Sequence, residues 1–334
     1  MKIAFCIEKN YLNDAIFNSK TSLNRDNCFY PYLMLQKIFL DYGYNLSTYD
    51  INPIERSQAV LYNDMPKVLP KKKNIKKSYL LIFESELIRP DNWDLEKHKY
   101  FNKIFTWNDK IIDNKKYFKF NFSHLFPEKI NKDISKKEKL CTLIAGNKQV
   151  KHPLELYSKR IEAIRWFEQN HLEDFDFYGI GWDEFVVKNR YMRFILRKTH
   201  VSKLLKPFFP SYKGRVVSKK EVLQKYKFAI CYENAKDIDG YITEKIFDCF
   251  FAGCVPVYWG ANNINEHIPQ ECFIDKRNFL TYDSLYKYIH NMSDFKYMQY
   301  LKNIENYLQS ENSDIFKAEK FANTIVNTVL HDIG

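Results

Sequence analysis

The chain has 334 residues, 45% of them hydrophobic, 17% aromatic and 28% charged, a globular profile that excludes a disordered or fibrous protein. That length exceeds one ordinary core, so two domains are expected. A net charge of +11 implies an anionic partner, with nucleic acid, anionic lipid headgroups and a sugar nucleotide all compatible.

No internal repeat has a solenoid or propeller period. The longest apolar stretches, such as residues 250–257, fall short of the ~20 residues that a membrane span needs. The opening run Met1-Lys2-Ile3-Ala4-Phe5-Cys6-Ile7 is broken by Glu8. It reads as a strand with no secretory h-region or cleavage site. Seven cysteines form no Cys-x-x-Cys pair, and Cys6, Cys231 and Cys254 lie in apolar runs. They read as small buried hydrophobes, and a reduced, cytosolic compartment is expected.

Short β-rich runs alternate with amphipathic stretches, which predicts an α/β protein with parallel sheets. In the first part the strands are residues 3–7, 45–49, 80–83 and 104–107. A helix is expected over 30–42, with Leu33, Leu35, Ile38 and Phe39 mostly on one side. Lys71-Lys72-Lys73 reads as a solvated loop. The charged stretch 127–139 reads as a linker, giving domains over 1–136 and 137–311. After it come a strand at 140–145, a helix at 155–170 and a strand at 175–178. A strand at 228–232, a helix at 244–252 and a strand at 255–259 follow. The tail from 312 onward carries Ile315, Phe316, Phe321, Ile325, Val326, Val329 and Leu330 at helical spacing, which predicts a docking helix.

Between Glu184 and Glu221 there is no acidic residue, while Lys188, Arg190, Arg193, Arg197, Lys198, Lys203, Lys206, Lys213 and Arg215 all occur. Phe194, Ile195, Leu196, Leu204, Leu205, Phe208 and Phe209 are interleaved. The stretch is either a membrane-surface element for anionic lipid or a basic helical insertion over the core.

Ligands of open α/β sheets bind outside the carboxyl ends of the strands. Here those ends run into Glu84-Ser85-Glu86, Gly146-Asn147, Gly179-Ile180-Gly181, Glu233-Asn234 and Gly260-Ala261-Asn262. Small or hydrogen-bonding residues at so many ends point to a ligand cleft. In residues 240–253, Thr243 is expected as N-cap and Gly253 as the residue closing the helix. Glu244 in the first turn suits the helix dipole, whereas Lys245 opposes it. A lysine there fits an anion bound at the helix start; the alternative is a lysine extending into solvent.

Three segments carry a resemblance. They are Tyr226-Lys227-Phe228-Ala229-Ile230-Cys231-Tyr232-Glu233-Asn234, Gly240-Tyr241-Ile242-Thr243-Glu244-Lys245-Ile246 and Gly253-Cys254-Val255-Pro256-Val257-Tyr258-Trp259-Gly260. In order and spacing they resemble the signature of the α1,3/4-fucosyltransferases, glycosyltransferase family 10. Phe83-Glu84-Ser85 is similar to a Glu-Ser element of the family's N-terminal domain, with Glu86 where the family often has proline. The resemblance implies a GT-B fold, two Rossmann-like domains with parallel sheets facing across a cleft. It also implies inverting transfer of L-fucose from GDP-fucose to a glycan hydroxyl, with no metal cofactor. By the same resemblance Lys245 and Arg160 serve the diphosphate, with Lys159 a one-residue alternative to Arg160. Glu244, Tyr241, Asn234 and Glu233 would line the donor pocket, and Glu84 would be the general base. Gly146, Asn147, Thr243 and Glu86 join the expected substrate-binding set, Glu86 also as second candidate for the base.

The partners expected are a GDP-sugar, an oligosaccharide or lipid-linked glycan acceptor such as lipopolysaccharide, and peripheral contact with an anionic membrane on its cytoplasmic face. No nucleic acid is expected. Another GDP-deoxyhexose or GDP-heptose would use much the same phosphate apparatus. A non-catalytic basic module is the alternative of a different class. Asp237-Ile238-Asp239 has the metal-binding Asp-x-Asp spacing but falls where the family has a variable turn. Asp174-Phe175-Asp176 reads as the edge of a strand. Gly179-Ile180-Gly181 lacks the third glycine of a dinucleotide fingerprint, and the histidines show no metal-ligand spacing.

Overall fold

The computed structural model describes residues 1–183 and 207–334. Of the nine cations named above for the basic stretch, only Lys213 and Arg215 fall among them; the expected membrane-facing segment otherwise lies largely outside the described residues. Lys213 is 3.4 Å from Asp176.

Two parallel sheets form the scaffold. The first contains β1 (Lys2–Cys6), β2 (Asn45–Thr48), β3 (Ala59–Asn63), β4 (Ser78–Ile82), β5 (Lys103–Thr106) and β6 (Tyr117–Lys119), in the order β2-β1-β3-β4-β5-β6. The second contains β7 (Lys139–Ile144), β8 (Phe175–Tyr178), β9 (Tyr226–Tyr232), β10 (Val255–Trp259) and β11 (Ile274–Asp275), in the order β11-β10-β9-β7-β8. Every strand pairing is parallel. Parallel strands are covered on both faces, so they read as continuous apolar runs. In β4 all five residues are buried. This is the α/β, GT-B architecture expected above.

The helices that matter here are α1 (Tyr30–Asp41), α2 (Tyr157–Asn170), α3 (Lys219–Leu223), α4 (Glu244–Phe251), α5 (Tyr282–His290), α6 (Asp294–Gln309) and α7 (Ala318–Ile333). The apolar stripe of α7 is buried in the core of the first sheet, where Phe321, Ala322, Ile325, Val326 and Val329 meet Leu35 and Phe39 of α1. The chain thus returns from the second sheet to the first. Asp332 at the end of α7 pairs with Lys103 at 2.7 Å and accepts from the Tyr79 hydroxyl at 3.1 Å, which fixes the helix on β4 and β5.

A second junction lies between the sheets. Trp107 follows β5; its indole N–H donates to the Phe83 carbonyl at 2.8 Å, and its ring packs 4.7 Å from that of Tyr241. Gly240 has φ +78°, and a Cβ there would stand 2.2 Å from the Trp107 carbonyl oxygen, so only glycine allows this approach. Asp109 accepts from Asn263 and His267, both at 2.9 Å, across the same boundary.

Two local expectations change. Lys72–Lys77 forms a short 3-10 turn rather than an irregular loop, with Lys71, Lys72 and Lys73 still exposed. The Thr243 side chain makes no cap bond to α4, because its hydroxyl donates to Glu233 instead. Gly253 closes α4 as expected, with φ +62° and its N–H donating to Phe250.

Candidate active site

A cavity of about 340 Å³ opens between the carboxyl ends of the two sheets, within the size range of small-molecule sites. Glu84, two residues beyond β4, is its acidic contribution from the first sheet. The second sheet brings Gly146 after β7, Gly179 and Ile180 after β8, and Tyr232 and Asn234 at the end of β9. Helices add Tyr157 and Arg160 from α2, Lys219 from α3, and Glu244, Lys245 and Asp248 from α4. The last three share one face of α4, while Ile246, Phe247 and Phe250 are buried on the other. That division is the amphipathic pattern of a helix laid against a sheet.

Beneath the cavity floor, Glu233 is fully buried. Its carboxylate accepts from the Thr243 N–H at 2.8 Å, the Thr243 hydroxyl at 2.6 Å and the Lys245 ammonium at 3.1 Å. A charge buried this deeply needs such compensation. Lys245 also approaches Glu244 at 3.5 Å. Burial alone would lower the Lys245 pKa, but Glu233 and Glu244 outweigh it, and the ammonium is held well above its usual range. Lys245 therefore keeps a fixed positive charge at the cavity wall, anchored from below.

Arg160 is 5% exposed. Its Nη2 donates to the carbonyls of Tyr232 at 2.6 Å and Glu233 at 2.8 Å, and to the Asn234 side-chain oxygen at 3.1 Å. This clamps the guanidinium to the end of β9. Lys159 instead pairs with Glu162 on the outer face of α2, so the geometry favours Arg160 over its neighbour.

Glu84 is partly buried, and its carboxyl pKa is raised first by desolvation and second by Asp64, with Lys148 and Lys245 pulling the other way. Asp64 lies behind it and accepts from the Glu84 N–H at 3.2 Å. The Glu84 carbonyl accepts from Trp93 at 3.1 Å, fixing the backbone. Glu86 is exposed and outside the cavity lining.

The cavity thus gathers Glu84, Lys245, Arg160, Glu244, Tyr241, Asn234, Thr243 and Gly146 from the expected set, with Glu233 as support below. It does not include Asn147, whose side chain donates to the Gly181 carbonyl at 3.0 Å and holds a turn. Lys219, Lys148, Tyr157, Asp248 and Arg25 line it without having been expected. Lys219 pairs with Asp248 at 2.7 Å and stands 4.0 Å from Glu244. Burial would raise the Glu244 pKa, but Lys245 and Lys219 on either side hold it well below the usual carboxylate range. The backbone N–H of Lys219 donates to Asp26 at 3.0 Å, so a loop preceding α1 reaches the second sheet's side of the cavity.

Asp237 and Asp239 each face a lysine, Lys236 at 3.3 Å and Lys110 at 3.2 Å. Among the described residues, His171, Glu173 and Asp174 form the one cluster of potential metal ligands, and none of these lines the cavity. No described helix is long and apolar enough to cross a membrane.

Comparison with known proteins points the same way. The profile of glycosyltransferase family 10 (fucosyltransferase), C-terminal part, matches residues 181–327. An α-(1,3)-fucosyltransferase, FucT, of Helicobacter pylori is 36% identical over 74 residues, 22% of this chain and 15% of that protein. An α-(1,4)-fucosyltransferase of Arabidopsis thaliana is 35% identical over 69 residues, 21% of this chain and 17% of that one. The chain therefore matches less than one fifth of the length of either relative. A crystal structure of an α1,3-fucosyltransferase superposes with a TM-score of 0.55 over 99% of this chain and 90% of that one, at 16% identity, which carries the fold. Over residues 181–327 the chain is thus similar to the C-terminal part of glycosyltransferase family 10, the fucosyltransferase family, on a two-sheet scaffold of the kind an α1,3-fucosyltransferase has.

Proposed function

We propose that the chain is an inverting glycosyltransferase that moves L-fucose from GDP-fucose to a hydroxyl of a glycan acceptor. The observation that carries this reading is the division of reactive groups between the two sides of one cavity. A carboxylate from the first sheet's side, Glu84, shares it with Lys245 and Arg160 from the second, where Glu244 and the Lys219–Asp248 pair also stand.

That division suits a single displacement at the anomeric carbon. The acceptor oxygen forms its bond to that carbon while the bond from carbon to phosphate oxygen breaks. The acceptor proton passes to Glu84, and the bonding electron pair stays on the departing GDP. A hydroxyl is a poor nucleophile, so removing its proton during attack is worth roughly 10²–10⁴ in rate. Desolvation and Asp64 raise the Glu84 pKa, which makes it a stronger base than a free carboxylate. On the opposite face Lys245 meets the growing charge of the diphosphate; its tether to Glu233 means it needs no reorganisation as that charge appears. Arg160 is held against the same wall. Glu244, Tyr241 and Asn234 would orient the nucleotide, and a metal has no required part in this scheme.

The net charge of +11 supports an acceptor glycan on an anionic carrier, such as a lipid-linked glycan or lipopolysaccharide. A donor screen tests the reading. GDP-fucose should raise the thermal midpoint and release GDP slowly in water, while UDP-sugars do neither. Equal responses to UDP-sugars, or none to any GDP-sugar, would refute it.

A further inference from the structure

Tyr157, the first residue of α2, is 3% exposed and lines the cavity. Its ring packs in one cluster with Trp107 of the first sheet's side and Tyr241 and Ala235 of the second. The Arg160 guanidinium sits 4.9 Å from the ring centroid. Its hydroxyl oxygen is enclosed yet has no hydrogen-bond partner among the described residues. Among the described residues Ser85, Asn121, His124 and Asp183 also hold an enclosed unpaired atom, but of these five residues Tyr157 alone lines the cavity, and an unpaired buried polar group is costly.

The charged groups acting most strongly on this hydroxyl are Arg160, Lys245 and Glu84, followed by Glu155. Burial raises its pKa above that of free tyrosine, so it keeps its proton and can donate. Arg160 and Lys245 carry only donors, and neither can serve as its acceptor. An anionic oxygen drawn to those two cations is the acceptor the hydroxyl lacks.

We propose that Tyr157 is a further substrate-contacting residue, its hydroxyl donating a hydrogen bond to a diphosphate oxygen of the donor held between Lys245 and Arg160. This rests on the GDP-sugar reading above. The bond strengthens as charge moves onto the diphosphate, so Tyr157 contributes to leaving-group departure as well as to binding.

The test is Tyr157→Phe, which removes one oxygen and preserves the ring. Binding of GDP and of guanosine would be measured by calorimetry, with turnover and the thermal midpoint of the ligand-free protein alongside. GDP affinity should fall about 10-fold, guanosine affinity should not change, and the midpoint should hold or rise because an unpaired hydroxyl has gone. Unchanged GDP affinity would overturn the proposal. So would equal weakening toward GDP and guanosine, or a fall in the ligand-free midpoint. A shift in the acid limb of the rate profile with GDP affinity intact would reassign the hydroxyl to Glu84, and equally overturn it. Failure of the wild-type protein to bind GDP would be a different result, removing the function reading itself and this inference with it.

Discussion

Replacing Lys245 by alanine has two separable consequences. Lys245 is 22% exposed and lies 3.1 Å from Glu233, whose side chain is fully buried. Removing the ammonium leaves that carboxylate with only the Thr243 N–H and hydroxyl. Stripping one partner from a buried ion pair costs about 3–5 kcal/mol; with two donors remaining, the lower end, ~3 kcal/mol, is expected. In the proposed mechanism the same change removes the cation that meets the leaving group, worth about 10²–10³ in turnover. Chemical unfolding measures the first effect, and turnover per folded molecule measures the second. The double variant Glu233→Gln with Lys245→Met separates them, since it neutralises both members of the pair. It should recover most of the stability and none of the activity. Recovery of activity along with stability would show that Lys245 serves the fold alone and would refute the assignment.

Glu84→Gln should keep GDP binding and lose transfer by about 10²–10⁴, whereas the exposed Glu86 should tolerate the same change; transfer assays with both variants decide between them. The acid limb of kcat/KM should lie higher than a free glutamate would give, because desolvation and Asp64 raise Glu84; Glu84→Gln should abolish that limb. Asp248 is pushed up to about 6 from 3.8 by burial, with Lys219 opposing the rise. Its proton is bound more tightly in the folded state, so its stabilising contribution is present below pH 3.8 and lost as pH rises through about 6. Asp248→Asn should flatten the stability profile over that window, and an unchanged slope in urea titrations would remove Asp248 as its cause. Activity should persist in EDTA; loss on chelation, restored by Mn²⁺ and absent in Asp237→Ala, would reinstate the Asp-x-Asp reading.

Much of this architecture is legible in the sequence because parallel strands announce themselves as short, fully apolar runs. The expected strand at 255–259 coincides with β10, and that at 175–178 with β8. β3 is not among the expected strands although Ala59-Val60-Leu61-Tyr62 is apolar, since the run is short and closely follows β2. β6 has no fully buried residue and leaves no pattern to read. At the site, the residues fixed by a local motif are the legible ones: Lys245, Glu244 and Tyr241 surround one helix start. Arg160 is located through resemblance, and its buried clamp on β9 explains why an arginine, with its fork of donors, stands there. Lys219 and Tyr157 are not legible, because their role depends on which elements meet in space. A lysine in a basic stretch and a tyrosine at a helix start look alike whether they face solvent or a cleft. Asn147 misleads for the same reason, since a strand-end asparagine can hold a turn as readily as a ligand.

The most direct test of the central claim is the anomeric configuration of the sugar after a single turnover with GDP-fucose, followed by NMR as GDP is released. A base on one side of the cavity and a leaving-group wall on the other predict a product with inverted configuration. A product of retained configuration would contradict that arrangement, because it would require a covalent or same-face route in which Glu84 is not the base opposite a leaving group held by Lys245.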